Sequence, residues 1–423
     1  MKLTQRDQAH IWHPLTQHQT ARAPVGIVKA SGSVLIDEHG NSYIDGIASW
    51  YTAMFGHCNP YITQAMTKQM QTLDFVMFSG FTHEPAIELS EKLVAILPPN
   101  QQKVFFNDNG STAVEAAIKM AIQYYHNKSQ KRDTLIAFED GFHGDTFGAM
   151  SASGLSSYNG PFEDFLLKVK RIPTPQAHNL EEVLALLTTI LEQNSCAGFI
   201  FEPLVQGAAG MKFHCAKGLD ALIAKCKAHD VLCIADEIMT GFGKTGTNFA
   251  VEQLQQPPDI MCLSKALTAG MFPLSITSCT KEIFDGFLSH QVHKGFFHAH
   301  TYSAHPVGCA AAIASIVLLT SPEILKKRAY IAGAHSVFAE KIQQHPAVKQ
   351  VRCKGVILAI DLAIEMQRYG NLRDELYQFF MDRGVALRPL GNTLYVLPPY
   401  VITNQELDTI YSAIEEALTH YNN

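Results

Sequence analysis

From about residue 60 onward, short apolar runs alternate with longer stretches of helical periodicity. The runs fall at 103–106, 134–138, 198–201, 231–235, 260–263 and 274–279. The helical stretches fall at 60–75, 84–97, 111–127, 180–193 and 216–228. Runs this short and this continuous suit strands covered on both faces, and strands separated by helices join in parallel. The pattern predicts an α/β unit with a doubly wound, mostly parallel sheet, its chemistry at the strand C-terminal ends. Residues 1–55 read instead as a polar arm and a short β region with a turn at Gly40-Asn41. Past 320 come a helix, strands around 348–360, a helix at 372–383, strands around 385–397 and a final helix at 404–420. Neither end has much core of its own, so the two are expected to pack together as a smaller α+β domain. The expected division is 1–55 as part of that small domain, 56–314 as the large domain and 315–423 as the rest of the small one.

With 423 residues, 47% hydrophobic and 17% charged, the chain has the composition of a globular enzyme rather than a disordered segment. Its net charge of −6 argues against a general nucleic-acid or anionic-membrane surface. The nine cysteines show no C-x-x-C pair, so a reducing cytosol is expected rather than a disulfide framework. The N-terminus lacks the apolar core of a signal peptide, and no apolar run approaches the length of a membrane span.

Two strand ends carry the sharpest chemistry. The run 231–235 closes on Asp236-Glu237, and 260–263 leads through Ser264 to Lys265, followed by small residues and glycine. An ammonium in apolar surroundings loses proton affinity and becomes a nucleophilic amine, the state that condenses with an aldehyde. A strand-end carboxylate about thirty residues before a strand-end lysine suggests pyridoxal phosphate (PLP), with the aspartate at the ring nitrogen and the lysine at the aldehyde. The alternative for Asp236 is a helix N-cap, but Met239-Thr-Gly-Phe-Gly-Lys-Thr-Gly246 does not read as a helix start. Asn107-Asp-Asn-Gly-Ser-Thr112 follows a strand and opens a helix. Its serine and threonine are good caps and its free N–H groups favour a phosphate; a plain capped helix is the other reading. Phe142, between Gly141 and His143-Gly144, either stacks on a flat cofactor or is a core aromatic beside a turn. Glu202, closing another strand ahead of Gln206, is a weaker signal that could order a water or a ring oxygen.

Two motifs are decoys. Gly241-Phe-Gly-Lys-Thr-Gly246 matches G-x-G-x-x-G but opens no helix, and a P-loop would need its first glycine where Ile238 stands. His298, His300 and His305 match no zinc spacing, so no metal is expected.

Taken together, these residues resemble the class III (fold type I) PLP-dependent aminotransferases, and the likeness runs nearly end to end. Ile11-Trp-His-Pro-Leu-Thr16, Ser49-Trp50, Val76-Met-Phe-Ser-Gly-Phe-Thr-His83, Phe142-His-Gly-Asp-Thr-Phe-Gly-Ala-Met150, Glu202-Pro-Leu-Val-Gln-Gly207, Lys265-Ala-Leu-Thr268, His300-Thr-Tyr302, Arg388-Pro389 and Leu397-Pro-Pro-Tyr400 carry it. The Trp-His-Pro, Ser-Trp and Arg-Pro segments narrow it to a biotin-pathway branch. The resemblance implies a cytoplasmic homodimer with shared active sites, a small-molecule amino donor and an oxo-acid acceptor. It implies that Lys265 is the Schiff-base lysine and proton carrier, that Asp236 partners the ring nitrogen, and that Gly110 and Ser111 bind the phosphate. His300 and Thr301 would reach that phosphate from the neighbouring subunit. Phe142 would stack on the ring and touch substrate; Leu15, Trp50, Ala299 and Arg388 would line the substrate pocket, with Arg388 on the acceptor carboxylate. A surface arginine is the other reading of Arg388. Leu15, Phe142 and Lys244 replace an aromatic residue, a tyrosine and an arginine of many relatives. These departures are expected toward the substrate side and bear on the donor, S-adenosylmethionine or lysine. An aminotransferase of another ω-amine and a PLP aminomutase are the competing readings.

Overall fold

The computed structural model describes residues 3–154, 159–368 and 370–421. Its largest sheet has seven strands, in the order Lys103–Asn107, Ser275–Cys279, Ile260–Leu263, Leu232–Asp236, Cys196–Phe201, Thr134–Phe138 and Val169–Ile172. All run parallel except Ser275–Cys279, which is antiparallel to both neighbours. The reason is local: the link 264–274 from the preceding strand is too short for a crossover helix. The four strands Thr134–Phe138, Cys196–Phe201, Ile260–Leu263 and Ser275–Cys279 are buried throughout, which is why they read as apolar runs without alternation. Val169–Ile172 had no such signature. It is a half-exposed edge strand whose Lys170 and Arg171 break the run.

A second sheet joins the two ends of the chain. Strands Ile27–Ser31, Val34–Asp37 and Ser42–Asp45 form an antiparallel meander. Val385–Ala386 then pairs in parallel with the last of them, Val385 opposite Ile44 and Ala386 opposite Asp45. A third, antiparallel sheet contains Val348–Lys354, Ile357–Leu362 and Thr393–Val396. The C-terminal helix Asn404–His420 buries Leu407, Ile410 and Ile414 and packs against strand Val385–Ala386 and helix Asn371–Met381.

The stretch after residue 306 forms two helices. Ser321 caps a new start, its hydroxyl accepting from Ile324 N, so helix Pro306–Leu319 ends and Pro322–Ile342 begins at a 67° bend. Among the described residues no single helix is long and apolar enough to cross a membrane, although this bent pair passes by length and composition together. The first of the pair is buried on most of its surface against helices Pro60–Thr72 and Glu84–Ile96.

Candidate active site

The parallel pairing of Leu232–Asp236 with Ile260–Leu263 sets Asp236 opposite Cys262. Lys265 follows three residues later, so carboxylate and amine leave one sheet edge side by side. Lys265 opens a 3-10 turn and is itself held at φ 50°, an uncommon conformation for a side-chain-bearing residue. Its Nζ lies 5.4 Å from the centre of the Tyr51 ring. Part of the side chain stays open, but the protein atoms crowded around it lower the ammonium pKa by desolvation. The charges of Asp236 and Glu202 oppose that shift.

Asp236 is buried and anchored on both oxygens. Oδ1 accepts from Ile238 N at 3.1 Å, and Oδ2 lies 2.7 Å from His143 Nδ1. His143 is itself buried; its backbone N donates to Ser153 Oγ, while its Nε2 has no partner. Glu202 backs the same region. Its Oε1 accepts from Phe142 N at 3.0 Å and its Oε2 from Gly207 N at 2.9 Å. Burial pushes its carboxyl pKa up to about 7, His143 pulling it down and Asp236 pushing it further up. Phe142, whose amide Glu202 holds, leaves 43% of its surface exposed, as a stacking platform requires and a core aromatic does not.

Helix Gly110–Asn127 starts earlier than expected, and neither Ser111 nor Thr112 is its cap. Asn109 Oδ1 accepts from Thr112 N, and Thr112 Oγ1 accepts from Asn109 N, a reciprocal box that moves the start to Gly110. Gly110 and Ser111 thus sit in the first turn, where backbone N–H groups lack helical partners. Ser111 Oγ accepts from Asp145 N at 3.2 Å, and Gly144 packs so closely that a Cβ there would lie 2.1 Å from that oxygen.

Trp50 and Arg388 meet across the second sheet. The Arg388 guanidinium carbon lies 4.8 Å from the Trp50 ring centre. Register explains the contact: Asp45 and Ala386 are paired, so Trp50 and Arg388 emerge from neighbouring strand ends. Arg388 is therefore no isolated surface arginine.

The other candidates stand apart in the single chain. Leu15 is 53% exposed on the N-terminal arm, and Ala299 and Thr301 are exposed. His300 Nδ1 lies 4.0 Å from Asp108 Oδ2 in its own chain, beside the turn before Gly110. His298 lies against Lys119 Nζ, and His305 accepts from Val307 N at the start of helix Pro306–Leu319. Lys244 departs from expectation. It is buried rather than facing a substrate, because positive φ at Phe242, Gly243 and Gly246 folds its loop back. Its Nζ donates to Gly241 O at 2.9 Å, and burial lowers its pKa.

The sequence by itself assigns no role to His143 or to Tyr51. A histidine between glycines just past a strand end was the available signal for the first; the second had none.

Comparison with known proteins agrees with this geometry. Residues 16–418 match the aminotransferase class-III family. An adenosylmethionine-8-amino-7-oxononanoate aminotransferase of Synechococcus elongatus is 44% identical over 418 residues, covering 97% of this chain and 98% of the relative. The crystal structure of an enzyme of that name from Methanocaldococcus jannaschii superposes with a TM-score of 0.92 at 33% identity, covering 98% of each chain. The omega transaminase of Pseudomonas jessenii in complex with PMP gives 0.91 at 26% identity, covering 100% of this chain and 99% of that one. The chain belongs to the class-III aminotransferases, and its fold is that of the fold type I PLP enzymes.

Proposed function

We propose that the chain moves an amino group from S-adenosylmethionine to 8-amino-7-oxononanoate, giving 7,8-diaminononanoate for biotin synthesis. The observation that carries this reading is the pairing of two groups of residues: Asp236 and Lys265 on one sheet edge, and Trp50 with Arg388, joined to them through Tyr51, whose ring lies near Lys265 Nζ. The names of the relatives supply the substrate class.

The residues fit PLP on several counts. Asp236 is a buried carboxylate whose orienting histidine keeps an unpartnered nitrogen behind it. The first turn at Gly110 and Ser111 offers free N–H groups to a phosphate, and Phe142 offers an open ring face. When bound, the cofactor would act as an electron sink for the substrate carbon. Lys265 Nζ would hold its aldehyde and, once released, carry the proton to and from that carbon. Asp236 would keep the ring nitrogen protonated, with His143 fixing the carboxylate. Arg388 would grip the acceptor's carboxylate with two parallel N–H donors, stacked on Trp50. Leu15 and Ala299 would complete the substrate pocket. The exposure of Thr301 suits a group that reaches the phosphate of a partner chain in a homodimer, with His300 beside it. Nine free cysteines support a cytoplasmic location.

The test is a donor screen with 8-amino-7-oxononanoate as acceptor, comparing S-adenosylmethionine with lysine after cofactor loading. Diaminononanoate formed with S-adenosylmethionine is expected. No diaminononanoate with either donor overturns the substrate assignment, and product formed with lysine alone overturns the donor.

A further inference from the structure

Between Asp45 and His57 the backbone does something ordinary chains avoid. Four consecutive residues without glycine, Ala48, Ser49, Trp50 and Tyr51, have φ of 46°, 44°, 67° and 70°. They form one turn of left-handed helix, closed by Tyr51 N donating to Ile47 O and Thr52 N to Ala48 O, at 2.9 and 2.8 Å. L-residues visit this region singly, not in runs, and such strain persists only where the surroundings over-determine it.

Those surroundings are a buried carboxylate and its donors. Asp45 closes its strand with its side chain almost wholly buried. Its Oδ1 accepts from Ile47 N at 3.2 Å; its Oδ2 accepts from Ser49 Oγ at 2.8 Å and lies 2.8 Å from His57 Nε2. His57 is pinned in turn, its backbone paired with Gly32 in both directions. On the far side Thr52 Oγ1 donates to Ser49 O at 2.8 Å, and Thr52 packs against Gly270, where a Cβ would sit 2.9 Å from its hydroxyl.

The turn carries one buried ring and one half-exposed ring. Tyr51 is buried, with Lys265 Nζ near its face, while Trp50 is 43% exposed and carries Arg388 on its ring. A right-handed or extended path through the same four residues would rotate both rings out of those places.

We propose that Asp45, Ser49 and His57 form a clamp of positioning residues that sets acceptor recognition, by locking the left-handed turn that holds Trp50 beneath Arg388. They touch no reacting atom. His57 Nε2 and Ser49 Oγ share one carboxylate oxygen, so this is not a nucleophile relay, in which the imidazole would stand between hydroxyl and acid. This inference rests on the proposed role of Arg388.

The test uses the cofactor-loaded enzyme in a Trp12→Phe background, which leaves Trp50 as the sole tryptophan. Ser49→Ala and His57→Ala each remove one arm of the clamp; His57→Gln restores an N–H donor. For the two alanine variants we expect Trp50 emission to shift and quench more readily, with unchanged far-ultraviolet circular dichroism. We expect acceptor KM to rise on the order of tenfold with donor KM within about twofold, and His57→Gln to recover most of the loss. Unmoved Trp50 emission overturns the proposal. So does an unchanged acceptor KM in both alanine variants when Arg388→Ala raises it. If Arg388→Ala itself leaves acceptor KM unchanged, the reading of the carboxylate site has failed. The clamp is then judged by Trp50 emission alone, which must still move.

Discussion

The two walls of the cleft are built by opposite means. The Lys265 wall stands on a regular parallel sheet: Asp236 and Lys265 lie together because their strands are in register, and any sheet of this topology would bring them there. The Trp50 wall adds to a strand pairing, which brings up Arg388, a conformation that sheets do not supply. Its left-handed turn costs about 1–2 kcal/mol for each residue held in it, and the hydrogen bonds around Asp45 must oppose that cost. On the proposed reading, topology places the groups that the chemistry needs, whereas a strained turn helps to place those that choose the acceptor. The contrast has a kinetic consequence. If the proposed roles hold, damage to the first wall should fall on both halves of a two-substrate reaction, and damage to the second on the acceptor half.

Substitutions at three positions can break that comparison, in falling order of effect. Lys265→Ala removes the amine at the sheet edge and is expected to lower donor and acceptor half-reactions alike by at least about ten-thousandfold. Single-turnover measurement with each substrate checks this; a variant impaired with only one of them would contradict the shared role. Asp236→Asn keeps the shape but removes a buried charge, with an expected loss of about a thousandfold in both halves. Arg388→Ala should lower kcat/KM for the acceptor about a hundredfold, with donor kinetics nearly unchanged, and Arg388→Lys should restore only part because its point charge lacks the planar fork. Equal loss in both half-reactions of the arginine variants would erase the distinction between the walls.

The same division governs what could be read from sequence. The central strands were legible because burial on both faces makes them apolar runs, and Asp236 and Lys265 stood out as polar groups at their ends. The edge strand Val169–Ile172 and the two-residue strands Val205–Gln206 and Lys212–Phe213 were not, since they are too short or too exposed to carry a pattern. The start of helix Gly110–Asn127 was displaced because Asn109, not a hydroxyl residue, won the cap. Lys244 was misplaced for a related reason: positive φ at Phe242, a residue that rarely adopts it, turns the loop inward. Nothing in Ala-Ser-Trp-Tyr announces a left-handed turn either. Strain of this kind is imposed by partners distant in sequence, Asp45 from one strand and His57 from beyond the turn, and local propensity is blind to them. The Trp50–Arg388 contact likewise depends on a strand pairing between residues more than three hundred apart.

The last expected effect concerns pH, and separates buried carboxyls from buried imidazoles by sign. Glu202, behind the Lys265 wall, has its carboxyl raised from 4.5 to about 7 by burial. The folded chain therefore binds the extra proton, and the stability this group contributes is lost as pH rises from about 4.5 through 7. His335, in helix Pro322–Ile342, is depressed from 6.5 to about 4, also by burial. Its Nδ1 accepts from Tyr411 OH, and its Nε2 donates to Val356 O. Here the unfolded chain binds the extra proton, so stability is lost as pH falls from 6.5 toward 4. Each group is worth about 3 kcal/mol across its window. Glu237, also raised to about 7, and His214, lowered to about 4, repeat the two signs. Denaturant unfolding followed between pH 4.5 and 7 tests both signs. Glu202→Gln removes a falling slope and should tilt the stability curve toward rising with pH relative to the parent chain, whatever its effect at a single pH. His335→Phe should tilt it the other way. Parallel shifts of the whole curve without a change of slope would show that neither group titrates out of register between folded and unfolded chain.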